Sequence, residues 1–260
     1  MCIRDRSEAV VTYERRDRIA EIRLHRPETL NAVSGQLLEE LTEALYRFDA
    51  DNEAWVAILS GEGRAFCSGV DVSQGMAEAM ALGFRPGPHF NVLLSRFQNY
   101  KPVIAAVHGW AVGVGFLLAL QCDLVVADET ARFQITEVPL GLDGSSLWTY
   151  VSLRARGSFA DELALTGRIC GATEAAAEGL INRIVPSGQH VQGARLLARE
   201  LLANPPLAVR AVVRSKRTQL ELIATKLNIG IRNGHLAESL DFKESMAARH
   251  DKRAPIFRGE

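Results

Sequence analysis

The chain reads Val103-Ile-Ala-Ala-Val-His-Gly-Trp-Ala-Val-Gly-Val-Gly-Phe-Leu-Leu-Ala-Leu-Gln-Cys-Asp-Leu-Val-Val-Ala127 near its centre, and this stretch decides the fold class. The apolar run Val103–Val107 is typical of a buried strand, and Leu124–Ala127 is a second run of the same kind. Between them, a glycine-rich turn leads into a short apolar segment that predicts a helix from about Val114. A strand, a helix and a strand in that order predict a crossover unit with parallel strands.

The same order of elements extends through the first half of the chain. Upstream, two strands joined by a charged turn precede a helix that Ser34 is expected to cap, and another strand follows. Pro27 ends the second strand, because proline has no amide hydrogen for the ladder. An apolar i, i+3, i+4, i+7 pattern predicts a further helix before Val103. The predicted segments are strands at Val10–Tyr13, Ile19–Leu24 and Trp55–Leu59, and helices carrying Leu37 to Phe48 and Phe90 to Phe97.

Helices dominate after about residue 145. Thr173 is expected to cap a short helix that ends at Gly179, and Pro206 is able to open another helix. The last helices carry more apolar positions than their own burial requires, which favours a packing or oligomerisation role. The chain is therefore predicted to be an α/β protein with a helical C-terminal region. The predicted helices are Glu174–Glu178, Ala194–Ala203, Leu207–Leu227 and Gly234–Arg249.

The composition disfavours several classes of function. The 260 residues include 30 Lys+Arg and 31 Asp+Glu, which gives a net charge of −1. No basic surface is therefore expected to collect nucleic acid, and an acidic ligand must be held by local groups. The length suits one large domain, or one domain with a smaller piece.

The cysteines, the histidines and the N-terminus favour a cytoplasmic protein without a metal. The four cysteines, at positions 2, 67, 122 and 170, form no CxxC motif, and the six histidines are scattered. Neither a disulfide framework nor a zinc site is expected. The first eight residues lack the apolar stretch of a signal peptide. The longest apolar run, Trp110–Leu120, is too short to span a bilayer.

Two glycine-rich turns and one acidic segment are the candidates for chemistry. The segments Gly63–Asp71 and His108–Leu118 each place glycines after a strand, where backbone amides can point outward. The second turn starts a helix near Val114, so the positive end of the helix dipole faces whatever the turn binds. Two such turns facing each other would supply a pair of N–H donors for a developing oxyanion. The acidic segment is Phe133–Gly141, with Glu137 as its carboxylate.

Six motifs, taken in order, resemble those of the enoyl-CoA hydratase/isomerase (crotonase) superfamily, and together they cover nearly the whole chain. The resemblance implies a crotonase (ClpP-like) spiral of β-β-α units over residues 1–200 and a helical trimerisation region over residues 201–260. It implies an acyl-CoA thioester as the ligand, no cofactor beyond the CoA of the substrate, and a homotrimer or homohexamer. The motifs are Arg26-Pro-Glu-Thr-Leu-Asn-Ala32, Gly63-Arg-Ala-Phe-Cys-Ser-Gly-Val-Asp71, Gly109-Trp-Ala-Val-Gly-Val-Gly115, Leu165-Thr-Gly-Arg168, Asp241-Phe-Lys-Glu244 and Lys252-Arg-Ala-Pro-Ile-Phe257.

The resemblance also implies the reaction. The N–H groups of Val70 and Val114 match the oxyanion donors that hold the thioester oxygen and stabilise its enolate. Hydratases of the family hold a water between two glutamates; one matches Glu137, but the other position is Leu117 here. A single carboxylate can take a proton from C2 and return it to C4, as in the Δ3-Δ2 enoyl-CoA isomerases of the family. We therefore interpret the chain as an isomerase whose base has a pKa raised by desolvation.

Further residues are assigned to the site by the same resemblance. Asp143 lies in a loop from which some relatives take an acidic group, and capping of that loop is its alternative role. Asp71 is also expected to cap a helix that starts at Ser73, His108 is interpreted as structural, and the segment Met76–His89 is expected to shape the acyl pocket. The implied substrate or CoA contacts are Leu30, Ala32, Arg64, Phe66, Ser68, Asp71, Val72, Gly113, Leu117, Thr136, Leu140, Lys252, Arg253 and Phe257.

Three other functions stay open. A hydratase would need Asp143 or another group to replace the missing glutamate. A family member that binds acyl-CoA without catalysis is a second alternative. A serine peptidase on the related spiral fold is disfavoured, because Ser68 and Cys67 have no histidine in a recognisable partner motif.

Overall fold

The computed structural model describes residues 9–71, 99–227 and 234–260, and a six-stranded sheet forms the central layer of this part of the chain. The sheet strands are β1 (Val11–Arg16), β2 (Ile19–Leu24), β3 (Val56–Gly61), β4 (Val103–Val107), β6 (Leu124–Asp128) and β9 (Arg183–Val185). They lie in the order β1-β2-β3-β4-β6-β9. The first pair is antiparallel and every other pair is parallel. The parallel sheet predicted from the central stretch is confirmed.

A second, three-stranded sheet gives the fold its repeating unit. Its strands are β5 (Trp110–Val112), β7 (Arg132–Gln134) and β8 (Cys170–Gly171). Strands β4 and β5 are separated by two residues but belong to different sheets, and a helix follows them. Strands β6 and β7 repeat this arrangement, with β6 in the six-stranded sheet and β7 in the three-stranded sheet. This alternation is the spiral of β-β-α units that the sequence predicts.

Helices surround both sheets. The helix predicted from about Val114 begins at that residue, and the side chain of Ser34 accepts a hydrogen bond from the amide of Leu37, as expected for a cap. No helix in the described residues is long and apolar enough to cross a membrane. The helices are α1 (Gly35–Ala50), α2 (Val114–Gln121), α3 (Ser145–Ser152), α4 (Gly157–Thr166), α5 (Ala172–Ala177), α6 (His190–Leu202), α7 (Pro206–Leu227) and α8 (Leu240–His250).

Several predicted helix boundaries are wrong. Helix α5 begins at Ala172 after Gly171, so Thr173 lies inside the helix and does not cap it. The segment predicted as one helix from Gly234 consists of a 3-10 turn and helix α8, because the Ser239 side chain accepts the amide hydrogen of Phe242 and starts a new helix there. Helix α6 begins four residues before the predicted start. The predicted helix at Phe90 to Phe97 and the segment Met76–His89 lie outside the described residues.

Apolar packing on both faces explains the uninterrupted apolar runs of the central strands. Every residue of β3 and β4 is buried, as expected for parallel strands covered on both sides. On one face, Ile58 and Ile104 belong to the cluster that includes Ala194 and Leu197 of α6. On the other face lies the larger core, which includes α1 and α2.

A buried ionic cluster joins α7 to the sheet. Asp123, immediately before β6, accepts hydrogen bonds from Lys216 and Arg217, and Arg217 also donates to the carbonyl of Lys101 at 2.9 Å. Burial alone would raise the pKa of Asp123, but the charges of Arg217 and Lys216 outweigh this and lower it. The cluster therefore ties the C-terminal helices to the end of the sheet.

Removal of the carboxylate from this cluster should be costly. In Asp123→Asn, Arg217, whose side chain is 3% exposed, would lose its ionised partner. We expect the free energy of unfolding in urea to fall by about 3–5 kcal/mol. The control is Glu200→Gln, which removes an exposed carboxylate paired with Arg183 and should cause little change. Equal losses in the two variants would contradict a dominant role for the buried cluster.

Candidate active site

The two glycine-rich turns pack directly against each other. The amide of Cys67 donates to the carbonyl of Trp110 at 3.0 Å, and the amide of Val112 donates to the carbonyl of Cys67 at 3.1 Å. A Cβ on Gly115 would lie 2.3 Å from the Cys67 oxygen, so only glycine permits this approach. The facing turns expected from the sequence are therefore present.

The amides of Val70 and Val114 lie in these turns. Val33 forms a parallel bridge with Val70. The amide of Val33 donates to the carbonyl of Gly69, and the amide of Asp71 donates to the carbonyl of Val33, so the Val70 amide takes no part in this bridge. Val114 is the first residue of α2, where an amide has no acceptor within the helix. Among the described residues, no backbone carbonyl accepts a hydrogen bond from either amide.

Gly113 brings the carboxyl group of Glu137 to the start of α2. Its φ of +51° and ψ of −121° suit glycine. A Cβ at this position would lie 2.9 Å from Oε1 of Glu137 and 3.1 Å from the Thr136 hydroxyl. The missing side chain therefore provides the space that the carboxyl group occupies beside the second turn.

The environment of Glu137 favours a neutral carboxyl group. Its pKa is raised to about 7, mainly because burial desolvates the carboxylate and also because of the charge of Asp143, while nearby backbone amides oppose the shift. Its Oε2 atom is buried and has no hydrogen-bond partner among the described residues. A buried carboxyl group with a free oxygen and a pKa near neutrality is suited to accept and return a proton.

The other candidates at the carboxylate positions behave differently. Leu117, one turn into α2 after Val114, is buried and apolar. Asp143 accepts 2.9 Å hydrogen bonds from the amide and hydroxyl of Ser145 at the start of α3, in agreement with loop capping. Glu137 is thus the carboxylate that the structure holds against the glycine turns.

A cleft of about 600 Å³ opens beside this arrangement. It runs between the glycine turns, the 3-10 turn Val138–Leu140 and one face of α8. The Ser245 hydroxyl donates to the carbonyl of Pro139 at 3.0 Å and fixes α8 over the cleft. The lining residues are Leu30, Ser68, Trp110, Val112, Gln134, Thr136, Pro139, Leu140, Ser245, Ala248, Arg249, Arg253 and Pro255.

Comparison with known proteins identifies the family. The sequence model described as enoyl-CoA hydratase/isomerase matches residues 14–260. The chain belongs to this family. The putative enoyl-CoA hydratase of Thermus thermophilus is 37% identical over 250 residues, covering 92% of this chain and 97% of that protein. The carnitinyl-CoA dehydratase of Escherichia coli K12 is 35% identical over 93% of this chain and 95% of its own length.

A solved structure gives the same result for the fold. The carnitinyl-CoA hydratase of Mycobacterium avium superposes with a TM-score of 0.86 at 33% identity, covering 97% of this chain and 100% of that one. The crotonase fold is confirmed. Membership of the enoyl-CoA hydratase/isomerase family also makes the chain an enzyme that processes acyl-CoA thioesters.

Five of the CoA or substrate contacts expected from the family line the cleft: Leu30, Ser68, Thr136, Leu140 and Arg253. The sequence reasoning missed Trp110, Gln134, Ser245 and Arg249. The four-residue spacing of Ser245 and Arg249 was the available signal, because it places them on one face of a helix.

Other expected contacts are found elsewhere. Phe66 is fully buried in the main core and does not line the cleft. Arg64, Lys252 and Phe257 are exposed and do not line the cleft. Ala32 is a core residue, and Gly113 and Leu117 lie beside the second turn. Asp71 pairs with Arg26, whereas Arg253 lines the cleft. Val72 lies outside the described residues.

Two polar motif residues hold the turns in place. Asp71 accepts a 2.8 Å hydrogen bond from Arg26, so within the described residues it acts as an ion-pair partner. His108 is structural, as expected: its Nε2 lies 2.9 Å from the carbonyl oxygen of Gly63, and its ring stacks on that of His190 at 4.1 Å.

The space at Gly113 can be tested by substitution. Gly113→Ala combines a strained positive φ with a Cβ against the Glu137 carboxyl group, so we expect kcat to fall by about 10²-fold or more. The control is Gly157→Ala at the start of α4, where an added Cβ meets nothing within 4 Å. That variant should keep full activity and be equally or slightly more stable. Full activity in Gly113→Ala would refute the arrangement.

The raised pKa of Glu137 predicts a pH dependence of activity. The base is the ionised carboxylate, so kcat/KM should rise with pH and level off above about 7. A steady-state pH profile measures this. A plateau that already begins near pH 5 would contradict the proposed burial of the base.

The same pKa predicts the opposite trend in stability. A carboxyl group with a folded-state pKa of about 7, against an ordinary 4.5, stabilises the fold below pH 4.5, and this stabilisation is lost as the pH rises through 7. The loss is about 3 kcal/mol. Urea unfolding of the wild type and of Glu137→Gln between pH 4.5 and 8 isolates the effect, because the glutamine variant lacks this titration. Parallel pH profiles for the two proteins would exclude it.

Proposed function

We propose that this enzyme shifts the double bond of an enoyl-CoA from the Δ3 to the Δ2 position. The observation that carries the proposal is the single carboxylate, Glu137, held against the glycine turns, with apolar Leu117 where a hydratase of the family has its second glutamate. Hydration requires a water to be activated and oriented, which a pair of carboxylates achieves. An isomerisation requires only one group that moves a proton between two carbons.

The proposed mechanism uses the two turns and the buried base. The amides of Val70 and Val114 donate hydrogen bonds to the thioester oxygen and stabilise the negative charge that develops there. Glu137 takes the proton from C2 of the 3-enoyl thioester, and the dienolate carries the charge on its oxygen. The protonated Glu137 then returns the proton to C4, which leaves the double bond between C2 and C3. Its pKa near 7 suits both transfers.

The CoA portion of the substrate is assigned to the 600 Å³ cleft. The basic groups that line it are Arg249, in the last turn of α8, and Arg253, just beyond the end of that helix, so they are the proposed partners of the CoA phosphates. Arg253 also bonds to Glu244, whereas Arg249 is exposed. Arg64, Lys252 and Phe257 contribute to CoA binding only if another copy of the chain or a rearrangement brings them to it.

Hydration of a 2-enoyl-CoA is the second candidate, and the names of the relatives favour it. They include the 2,3-dehydroadipyl-CoA hydratase of E. coli and the (E)-benzylidenesuccinyl-CoA hydratase of Thauera aromatica, at 34% and 33% identity. In this reading Asp143 supplies the second carboxylate, and its electrostatic effect on Glu137 is the supporting observation.

We also propose that the chain assembles as a trimer or hexamer. The enzyme is proposed to be cytoplasmic and to need no metal or redox cofactor. Helix α7 exposes Leu207 at 76% and Val212 at 71%, a pattern suited to subunit contacts. Light scattering after gel filtration would give the mass of the assembly.

Separate incubation with two substrates distinguishes the reactions. With a 3-enoyl-CoA, we expect the conjugated thioester to form, and with a 2-enoyl-CoA we expect little hydration. Both are followed by ultraviolet absorbance and chromatography of the products. Glu137→Gln should reduce isomerisation by at least about 10³-fold and leave CoA-thioester binding nearly intact. Rapid hydration of the 2-enoyl-CoA by the wild type would overturn the isomerase proposal.

A carboxylate at position 117 should change the balance between the two reactions. In Leu117→Glu, a second carboxylate would be added one turn into α2, and we expect hydration of the 2-enoyl-CoA to rise relative to isomerisation. Leu117→Gln is the matched control, since glutamine has nearly the same shape as the introduced glutamate but carries no charge. Asp143→Asn should leave isomerisation largely in place but would abolish hydration if Asp143 supplied the second group.

A further inference from the structure

Two histidines that the proposed mechanism does not use stack on each other beside the first glycine turn. His108 precedes the second turn, and His190 is the first residue of α6. Their ring centroids are 4.1 Å apart, and the ring planes differ by 16°. His108 is 9% exposed, and the side chain of His190 is 13% exposed. The pair therefore joins two segments that are distant in sequence and shields both rings from water.

His108 holds the start of the first turn through both its backbone and its ring. Its carbonyl oxygen accepts a hydrogen bond from the amide of Phe66 at 2.9 Å. Its Nε2 atom lies 2.9 Å from the carbonyl oxygen of Gly63. Val70, whose amide is one of the two proposed oxyanion donors, lies further along the same turn. The position of this donor therefore depends on the segment that His108 fixes.

The hydrogen bonds of His108 suit a neutral imidazole. A carbonyl oxygen can only accept, so Nε2 carries the hydrogen and Nδ1 of the neutral ring carries none. Nδ1 of His108 is buried and has no hydrogen-bond partner among the described residues. A proton on this atom would create a buried donor without an acceptor, which is costly.

A carboxylate faces the pair from the end of β6. Oδ2 of Asp128 lies 3.4 Å from Nδ1 of His190. The same carboxylate accepts hydrogen bonds from the amide of Gly188 and from the amide and hydroxyl of Thr130. The first turn contributes a neutral carbonyl oxygen. Among the described residues, the charges that act on His190 are those of His108 and Asp128.

The stack tolerates one positive charge but not two. Two imidazolium rings 4.1 Å apart would repel each other, and burial reduces the screening by water. Burial and the charge of His108 lower the pKa of His190 below the ordinary 6.5, and Asp128 opposes this shift only in part. An open arrangement, with both rings in water, binds more protons than the stack does. The stack is therefore fully stable above pH 6.5 and loses stability as the pH falls below this value.

We propose that His190 is a positioning residue for the acyl-CoA site: its ring holds His108 and the first turn in place, and acid opens this contact. The affinity for the thioester then falls in acid, because the Val70 amide loses its fixed position. The inference rests on the proposed function only in that the first turn binds the thioester oxygen. It adds an acid limit to binding that is separate from the protonation of Glu137.

Binding of butyryl-CoA, a saturated thioester that cannot be isomerised, tests the proposal. The background is Glu137→Gln, which removes the titration of that carboxyl group. We expect the dissociation constant, measured by calorimetry, to rise between pH 7.5 and 5.5 by a factor about fivefold larger than in the same protein with His190→Phe added. Phenylalanine keeps a flat ring against His108 but binds no proton. Titration of the CoA phosphates is common to both proteins and cancels in the comparison.

A matched control removes a histidine elsewhere. In the same background, His250→Gln replaces a side chain that is 89% exposed, and the rise in the dissociation constant should be as large as without it. An equal rise with and without His190→Phe would overturn the proposal. Weak binding at both pH values in the His190→Phe protein would indicate a purely structural role and would also overturn it.

A second measurement uses the wild-type protein, so it does not depend on the folding of a variant. Exchange of the imidazole C2 hydrogens, followed by mass spectrometry at a series of pH values, gives the pKa of each histidine. We expect the pKa of His190 to lie below 6.5. A value of 6.5 or higher would contradict a stack that resists a second charge.

The outcomes separate this inference from the proposed reaction. If no enoyl-CoA is isomerised but the loss of butyryl-CoA binding in acid still depends on His190, the isomerase proposal fails and the positioning role stands. If isomerisation is found and His190→Phe leaves the loss of binding unchanged, the positioning role fails and the isomerase proposal stands.

Discussion

The site depends on the contact between two stretches of backbone, the turn at Cys67 and the start of α2 at Gly115. The carbonyl oxygen of Cys67 would be 2.3 Å from a Cβ on Gly115, so any side chain there would force the turns apart. Their separation sets the distance between the amides of Val70 and Val114. A hydrogen-bond pair of this kind is effective only when its geometry is fixed before the charge develops, because reorganisation would cost part of the stabilisation.

Burial of Glu137 follows from the same packing. Gly113 has no side chain, so the carboxyl group can occupy the space beside it. Apolar Leu117 is buried in the next turn of α2. The apolar surroundings weaken the hydration of the carboxylate, which raises its pKa to about 7. This burial costs stability at neutral pH, and in the proposed mechanism it gives a base strong enough to compete for a carbon-bound proton.

The C-terminal region completes the site although its sequence is distant from both turns. Asp123, Lys216 and Arg217 hold α7 against the end of β6, and Ser245 bonds to the carbonyl of Pro139. Helix α8 therefore closes one side of the 600 Å³ cleft proposed for CoA. The helical tail, whose apolar pattern suggested oligomerisation, therefore packs against the candidate site within a single chain.

Local sequence was sufficient for much of the fold and for the positions of the candidate site residues. The strands β2 and β4, the start of α2 at Val114 and the Ser34 cap follow from patterns a few residues long, and the Glu137 and Leu117 positions follow from motif order. Such patterns have a limit: they predicted that Thr173 caps α5, whereas the residue that precedes the helix is Gly171. A motif also does not tell whether a side chain faces the core or the ligand, and the Phe66 side chain is fully buried in the main core. The pairing of Asp123 with Arg217 and the face of α8 over the glycine turns were decided only by the tertiary structure. They depend on contacts between distant segments, whose relative positions no local spacing encodes.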